Sequence, residues 1–150
     1  MKKYYVNVDN EGTVYWYKDA KRTILHREDG PAVECTDGSK YWYINGKQHR
    51  EDGPAAEWSN GDKSWWINGE LHREDGPAIE WADGTKRWYL YGKQHREDGP
   101  AIECANGTKH WFLGSKELTE QEFNMRTRPS EELTVAQIEA LLGKRIKIVK

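Results

Sequence analysis

His26-Arg27-Glu28-Asp29-Gly30-Pro31-Ala32 returns three times, as His49 to Ala55, His72 to Ala78 and His95 to Ala101. The interval is 23 residues each time. A fixed short period is the signature of one small unit stacked on copies of itself. Four full copies occupy 26–48, 49–71, 72–94 and 95–117, and residues 1–25 read as a degenerate copy. There Gly12 stands four residues before Trp16, as Gly38 stands before Trp42. The array therefore spans 1–117, and 118–150 lies beyond it.

Within each copy two turn signals bracket an aromatic strand. The first is Asp37-Gly38, Asn60-Gly61, Asp83-Gly84 and Asn106-Gly107. The second is Asn45-Gly46, Asn68-Gly69 and Tyr91-Gly92, shifting to Gly114-Ser115 in the last copy. Asn-Gly and Asp-Gly favour two-residue hairpin loops, because both central residues need positive φ. Each copy reads as strand, tight turn, strand, tight turn. The expected fold is an all-β elongated ribbon of stacked antiparallel hairpins, with a small helical C-terminal cap.

Side chains alternate along a strand. A two-residue loop at Asp37-Gly38 sets Glu34 opposite Tyr41 and Val33 opposite Trp42. One face then carries Val33, Cys35, Lys40, Trp42 and Ile44 with their equivalents, and is the expected core. On it Lys63 and Lys86 are expected to lie over Trp58 and Trp81. The other face carries Ala32, Glu34, Tyr41 and Tyr43. Its position 34 is Glu in every copy, and its position 43 becomes Trp66, Tyr89 and Phe112. Position 41 varies as Ser64, Arg87 and His110. This aromatic and acidic stripe is the candidate partner-binding surface: Tyr41, Tyr43, Glu57, Trp66, Glu80, Arg87, Tyr89, His110 and Phe112. The same rings could also serve only to stack across strands.

In the tail, Leu118-Thr119-Glu120-Gln121-Glu122-Phe123 fits a capping box with a hydrophobic staple, bounded by Pro129. Leu133 to Ile138 repeats the device, Gly143 suits a helix end, and Arg145 to Lys150 alternates like a strand. The tail is read as a cap for the open array, or as a docking module with a basic tip of Lys144, Arg145, Lys147 and Lys150.

Composition excludes several classes. The 150 residues are 32% charged and 36% hydrophobic, with mean hydropathy −1.03. That balance points toward disorder, but eight Trp and eight Tyr supply large buried areas from few residues. A folded chain with a thin core is expected. No apolar run approaches the ~20 residues of a membrane helix. Met1 to Asp9 lacks the apolar stretch of a secretory signal, so a cytoplasmic location is expected. Net charge is −2, and residues 1–115 hold 16 basic against 19 acidic residues. Nucleic-acid affinity rests on neutralising phosphates, so the array has no footprint for it.

The HRED segments are the obvious place to look for chemistry. At two strands per copy, successive histidines stand about 10 Å apart, too far to share a metal. The structural reading is a repeated loop in which Gly takes a strained φ, Pro fixes its neighbour, and Arg pairs with an acid of the adjacent copy. His49 is expected to face Trp42 and pack on its ring. Cys35 and Cys104 occupy one register three copies apart, beyond disulfide reach. No catalytic residues, metal ligands or cofactors are expected, and the chain is not read as an enzyme.

Asn-Gly-Lys-x-His followed by Gly-Pro, an acidic-aromatic strand, a Gly turn and an aromatic strand resembles the MORN repeat variant over 26–117, and weakly over 1–25. The chain departs from that pattern in placing Arg-Glu-Asp between His and Gly-Pro. The HREDGPA form running into Lys-Glu-Leu-Thr-Glu-Gln-Glu-Phe is similar to proteins of tailed bacteriophages. The resemblance implies a hairpin-repeat fold and an antitoxin-like inhibitor that binds a host or toxin protein. Two other readings stand beside it. One is a small-ligand or glycan binder using the regularly spaced rings. The other is a nucleic-acid-directed protein using the basic tail. The oligomeric state is left open.

Overall fold

The computed structural model describes residues 3–127. Its main element is an 11-stranded antiparallel sheet, not closed into a barrel. The strands follow chain order: Tyr5–Val8, Val14–Tyr17, Val33–Glu34, Lys40–Tyr41, Ala56–Glu57, Lys63–Ser64, Ile79–Glu80, Lys86–Arg87, Ile102–Glu103, Lys109–Leu113 and Lys116–Leu118. Between them, three short hairpins stand as separate two-stranded sheets: Tyr43–Ile44 with Lys47–Gln48, Trp66–Ile67 with Glu70–Leu71, and Tyr89–Leu90 with Lys93–Gln94. The degenerate first copy joins the same sheet, and the N–H of its Trp16 bonds the Ala32 carbonyl as Trp42 bonds Ala55. The ribbon of hairpins read from the repeat is the fold.

The second turn of each copy has the expected geometry. Asn45 and Gly46 both hold positive φ, at 52° and 78°, and Ile44 pairs with Lys47 across a two-residue loop. Gly114 and Ser115 do the same at 59° and 67°. The first turn differs. Of its residues only Gly38 has positive φ, at 93°, and Val33 pairs with Tyr41 while Glu34 pairs with Lys40. The loop is three residues long, a turn followed by a left-handed glycine. The residue before the glycine caps this loop. The Asp37 carboxylate accepts the Ser39 N–H at 2.8 Å, and Asn60, Asp83 and Asn106 repeat this bond. That side-chain bond holds the residue in an Asx turn instead of the left-handed region.

One extra loop residue moves the register by one, which exchanges the faces of one arm. Glu34 shares a side with Trp42, whereas Val33 and Cys35 share one with Tyr41 and Tyr43. This corrects the expected assignment of both faces. Glu34, Lys40, Glu57, Lys63, Glu80, Lys86, Glu103 and Lys109 become successive cross-strand neighbours. Acid and base alternate over the eight strands from Val33–Glu34 to Lys109–Leu113, the favourable arrangement for directly opposed charges. Lys63 thus faces Glu57 and Glu80 instead of covering Trp58, and it is Arg87 that lies over Trp81, at 4.8 Å.

Beside the charge ladder runs a row alternating large and small. Trp42, Ala55, Trp65, Ala78, Trp88 and Ala101 succeed one another, each Trp N–H bonding the next Ala carbonyl at 2.8–2.9 Å. Ala32, Ala55, Ala78 and Ala101 are fully buried, while no large side chain among the described residues is. The core is thin, as the composition implied. Copies are also tied at their turns: the Ser59, Ala82 and Ala105 N–H groups bond Ser39, Asp62 and Thr85 side chains of the copy before.

Glu120–Thr127 forms the C-terminal helix. Its capping box is made, with the Thr119 N–H bonding Glu122 at 2.9 Å and the Glu122 N–H bonding Thr119 at 3.2 Å. Leu118 and Phe123, the staple, are both buried. The expected second helix, the Gly143 terminus, the final strand and Pro129 lie outside the described residues.

Gly84 tests the first turn. It holds φ at 92° with open space where a Cβ would stand, so Gly84→Val meets backbone strain alone. The expected loss is about 1–3 kcal/mol, read as a lower thermal midpoint by circular dichroism. An unchanged midpoint would contradict the left-handed glycine.

Candidate functional site

The HRED loop builds the side of the ribbon that carries Trp42 and Ile44. His49 Nδ1 accepts the N–H of Asn68, the first residue of the second turn of its own copy, at 3.1 Å. His26, His72 and His95 do the same for Asn45, Tyr91 and Gly114. An Nδ1 that accepts leaves the proton of a neutral imidazole on Nε2. That nitrogen stands 3.4–3.7 Å from the Glu two residues on. Each histidine thus clamps the second turn of its own copy. The His49 N–H also bonds the Trp42 carbonyl, but the residue stacked on that ring is Arg50, at 4.1 Å.

Arg50 is held by three hydrogen bonds. Its Nε donates to Asp52 at 2.8 Å, and its Nη1 donates to the Pro54 carbonyl and to Glu57, each at 3.2 Å. Arg27, Arg73 and Arg96 repeat the set. The acids belong to the arginine's own copy, which corrects the expected pairing with a neighbour. The Arg bond, with its charge, holds the Asp52 and Asp75 carboxyls below the usual range, and Asp98 follows. Gly53 does not adopt a strained φ either. A Cβ there would meet the Arg50 guanidinium carbon at 2.9 Å, so a larger residue would have to displace that guanidinium.

Between successive loops lie three equivalent grooves of about 840, 760 and 590 Å³. Trp42 and Ile44 line the first, Trp65 and Ile67 the second, Trp88 and Leu90 the third. Among the described residues no group of three His, Cys, Asp or Glu side chains could hold a metal ion.

The opposite side carries the aromatic row. Trp66 Nε1 donates to Ser64 Oγ at 2.6 Å, so positions 64 and 66 lie together. By the same spacing Tyr41 and Tyr43, Arg87 and Tyr89, and His110 and Phe112 share this side. All are half-buried except Ser64, which is buried. Burial pushes the Tyr41 and Tyr43 phenols up. Gln94 donates to the Tyr89 hydroxyl at 3.1 Å, and His110 Nδ1 is 2.9 Å from Glu117.

Seven of the nine candidate residues are therefore brought together. Glu57 and Glu80 are not: they stand on the loop side, bonded to Arg50 and Arg73. In their place the aromatic side gains Trp58 and Trp81, which the expected register had assigned to the core. Trp58 is 38% exposed and meets Tyr41 edge-on at 5.8 Å. The signal for this was present: every copy holds a Glu and a Lys six residues apart, and only the three-residue loop sets them opposite each other. Cys35 and Cys104 are both free. No helix among the described residues is long and apolar enough to cross a membrane. No protein-family model and no curated protein matches the chain.

Proposed function

We propose that the chain is a non-enzymatic protein-binding repeat module, an inhibitor or antitoxin-like protein of phage or bacterial origin acting in the cytoplasm on a host or toxin protein. The supporting observation is the aromatic side. A constant ring (Tyr43, Trp66, Tyr89, Phe112) recurs beside a variable residue, half-exposed as Tyr41, Arg87 and His110 and buried as Ser64. A rigid scaffold presenting anchoring rings with changing neighbours suits recognition of one protein surface, since aromatic and Arg side chains dominate binding energies. The resemblance to MORN repeat variants points the same way.

The test is affinity capture from bacterial lysate, identification by mass spectrometry, and titration of the purified partner. Trp66→Ala with Tyr89→Ala is expected to weaken that partner at least 100-fold while the far-ultraviolet spectrum stays unchanged. Retained affinity would remove the aromatic side from the interface. Capture of nothing would count against a protein partner.

A further inference from the structure

On the opposite side, independently of that reading, we infer that the three grooves form a docking surface for an extended cationic protein segment carrying Lys or Arg at every third residue. Each groove pairs an apolar floor with an acidic rim. In the middle one, Trp65 and Ile67 lie between Glu51 and Glu74, whose side chains are 85% and 76% exposed. The third groove has Trp88 and Leu90 between Glu74 and Glu97, the latter 80% exposed. The loop arginines do not compensate this rim, because each is already bonded to an Asp and a Glu of its own copy. With neutral His, every HRED loop has two acids against one base, so one edge of the ribbon carries repeated negative charge.

A Lys or Arg side chain is complementary to such a groove. Its aliphatic stem lies along the aliphatic floor and the part of the Trp that lines the groove beside the stacked loop arginine, while its charged head stays at the carboxylates. The spacing also matches. Two strands per copy advance about 10 Å, and three residues of an extended polyproline II segment advance about 9 Å and return the side chain to the same face. A segment with a cation at every third position can therefore fill successive grooves in register. Linked contacts of this kind reinforce one another.

Two fluorescein-labelled twelve-residue peptides of identical composition distinguish this from bulk charge attraction. One is Lys-Ala-Pro repeated four times; the other has its four Lys contiguous. Fluorescence anisotropy at low salt is expected to show the spaced peptide binding at least tenfold tighter. Glu51→Gln/Glu74→Gln/Glu97→Gln is expected to lose at least tenfold, since these exposed side chains change charge without disturbing the fold. Trp66→Ala/Tyr89→Ala is expected to bind the peptide as wild type does, whatever happens to its protein partner. Equal binding of the two peptides, no binding of either, an unaffected triple variant, or loss in the aromatic variant would each overturn the proposal.

Discussion

Ala78→Leu is expected to lower stability by about 3 kcal/mol, the upper end of what overpacking costs. Ala78 is fully buried and lies between Trp65 and Trp88, with its carbonyl accepting the Trp65 N–H at 2.8 Å. A Leu side chain has no room there without moving an indole. Each indole also carries an arginine, Arg73 over Trp65 and Arg96 over Trp88, at 4.1 and 4.0 Å. Displacing either ring therefore disturbs two loops. For a chain of this length the loss corresponds to roughly 6–12 °C in thermal midpoint. Ala105→Leu, the same change at an exposed turn position, is the control and is expected to leave the midpoint in place. Equal effects at both sites would mean that the alternating Trp and Ala row is not the packed centre of the ribbon.

Arg73→Ala is expected to cost about 2 kcal/mol. Stacking on Trp65 contributes about 1 kcal/mol at such a site, and the Pro77 carbonyl loses a donor worth about 1 kcal/mol. The bond to Glu80 adds only a few tenths, because that carboxylate is 36% exposed and water screens the pair. Arg73→Lys is expected to recover little, since an ammonium cannot stack flat while serving Asp75, Pro77 and Glu80 together. Acid gives a second readout. Asp75 has its carboxyl lowered in the folded state by the Arg73 bond. Its contribution is present above the unfolded value and is lost as pH falls through the folded one. The gap between wild type and Arg73→Ala should therefore narrow as pH falls below about 5. A gap that stayed constant, measured by chemical denaturation, would show that the Asp75 contact adds nothing.

Much of this arrangement was legible beforehand, and the part that was not has a single origin. The 23-residue period, the number of copies, the Asn-Gly hairpins and the capping box at Thr119 and Glu122 follow from local chemistry. Positive φ, side-chain caps and alternation act within a few residues. The two faces do not. Asp37-Gly38 and Asn45-Gly46 are nearly the same dipeptide, yet one closes a three-residue loop and the other a two-residue loop. Which loop forms depends on partners across the strands: Lys40 between Glu34 and Glu57, and Ser39 accepting the Ser59 N–H of the following copy.

The sequence by itself determined a thin, open, repeated β-ribbon, because periodic spacing and turn residues act locally. Tertiary structure alone decided which side chains share a side. It placed Glu57 and Glu80 under arginines, Trp58 beside Tyr41, and a groove between each pair of HRED loops. Strand register is a long-range choice among whole rows of contacts. A shift of one residue leaves every local preference nearly satisfied while exchanging the two faces.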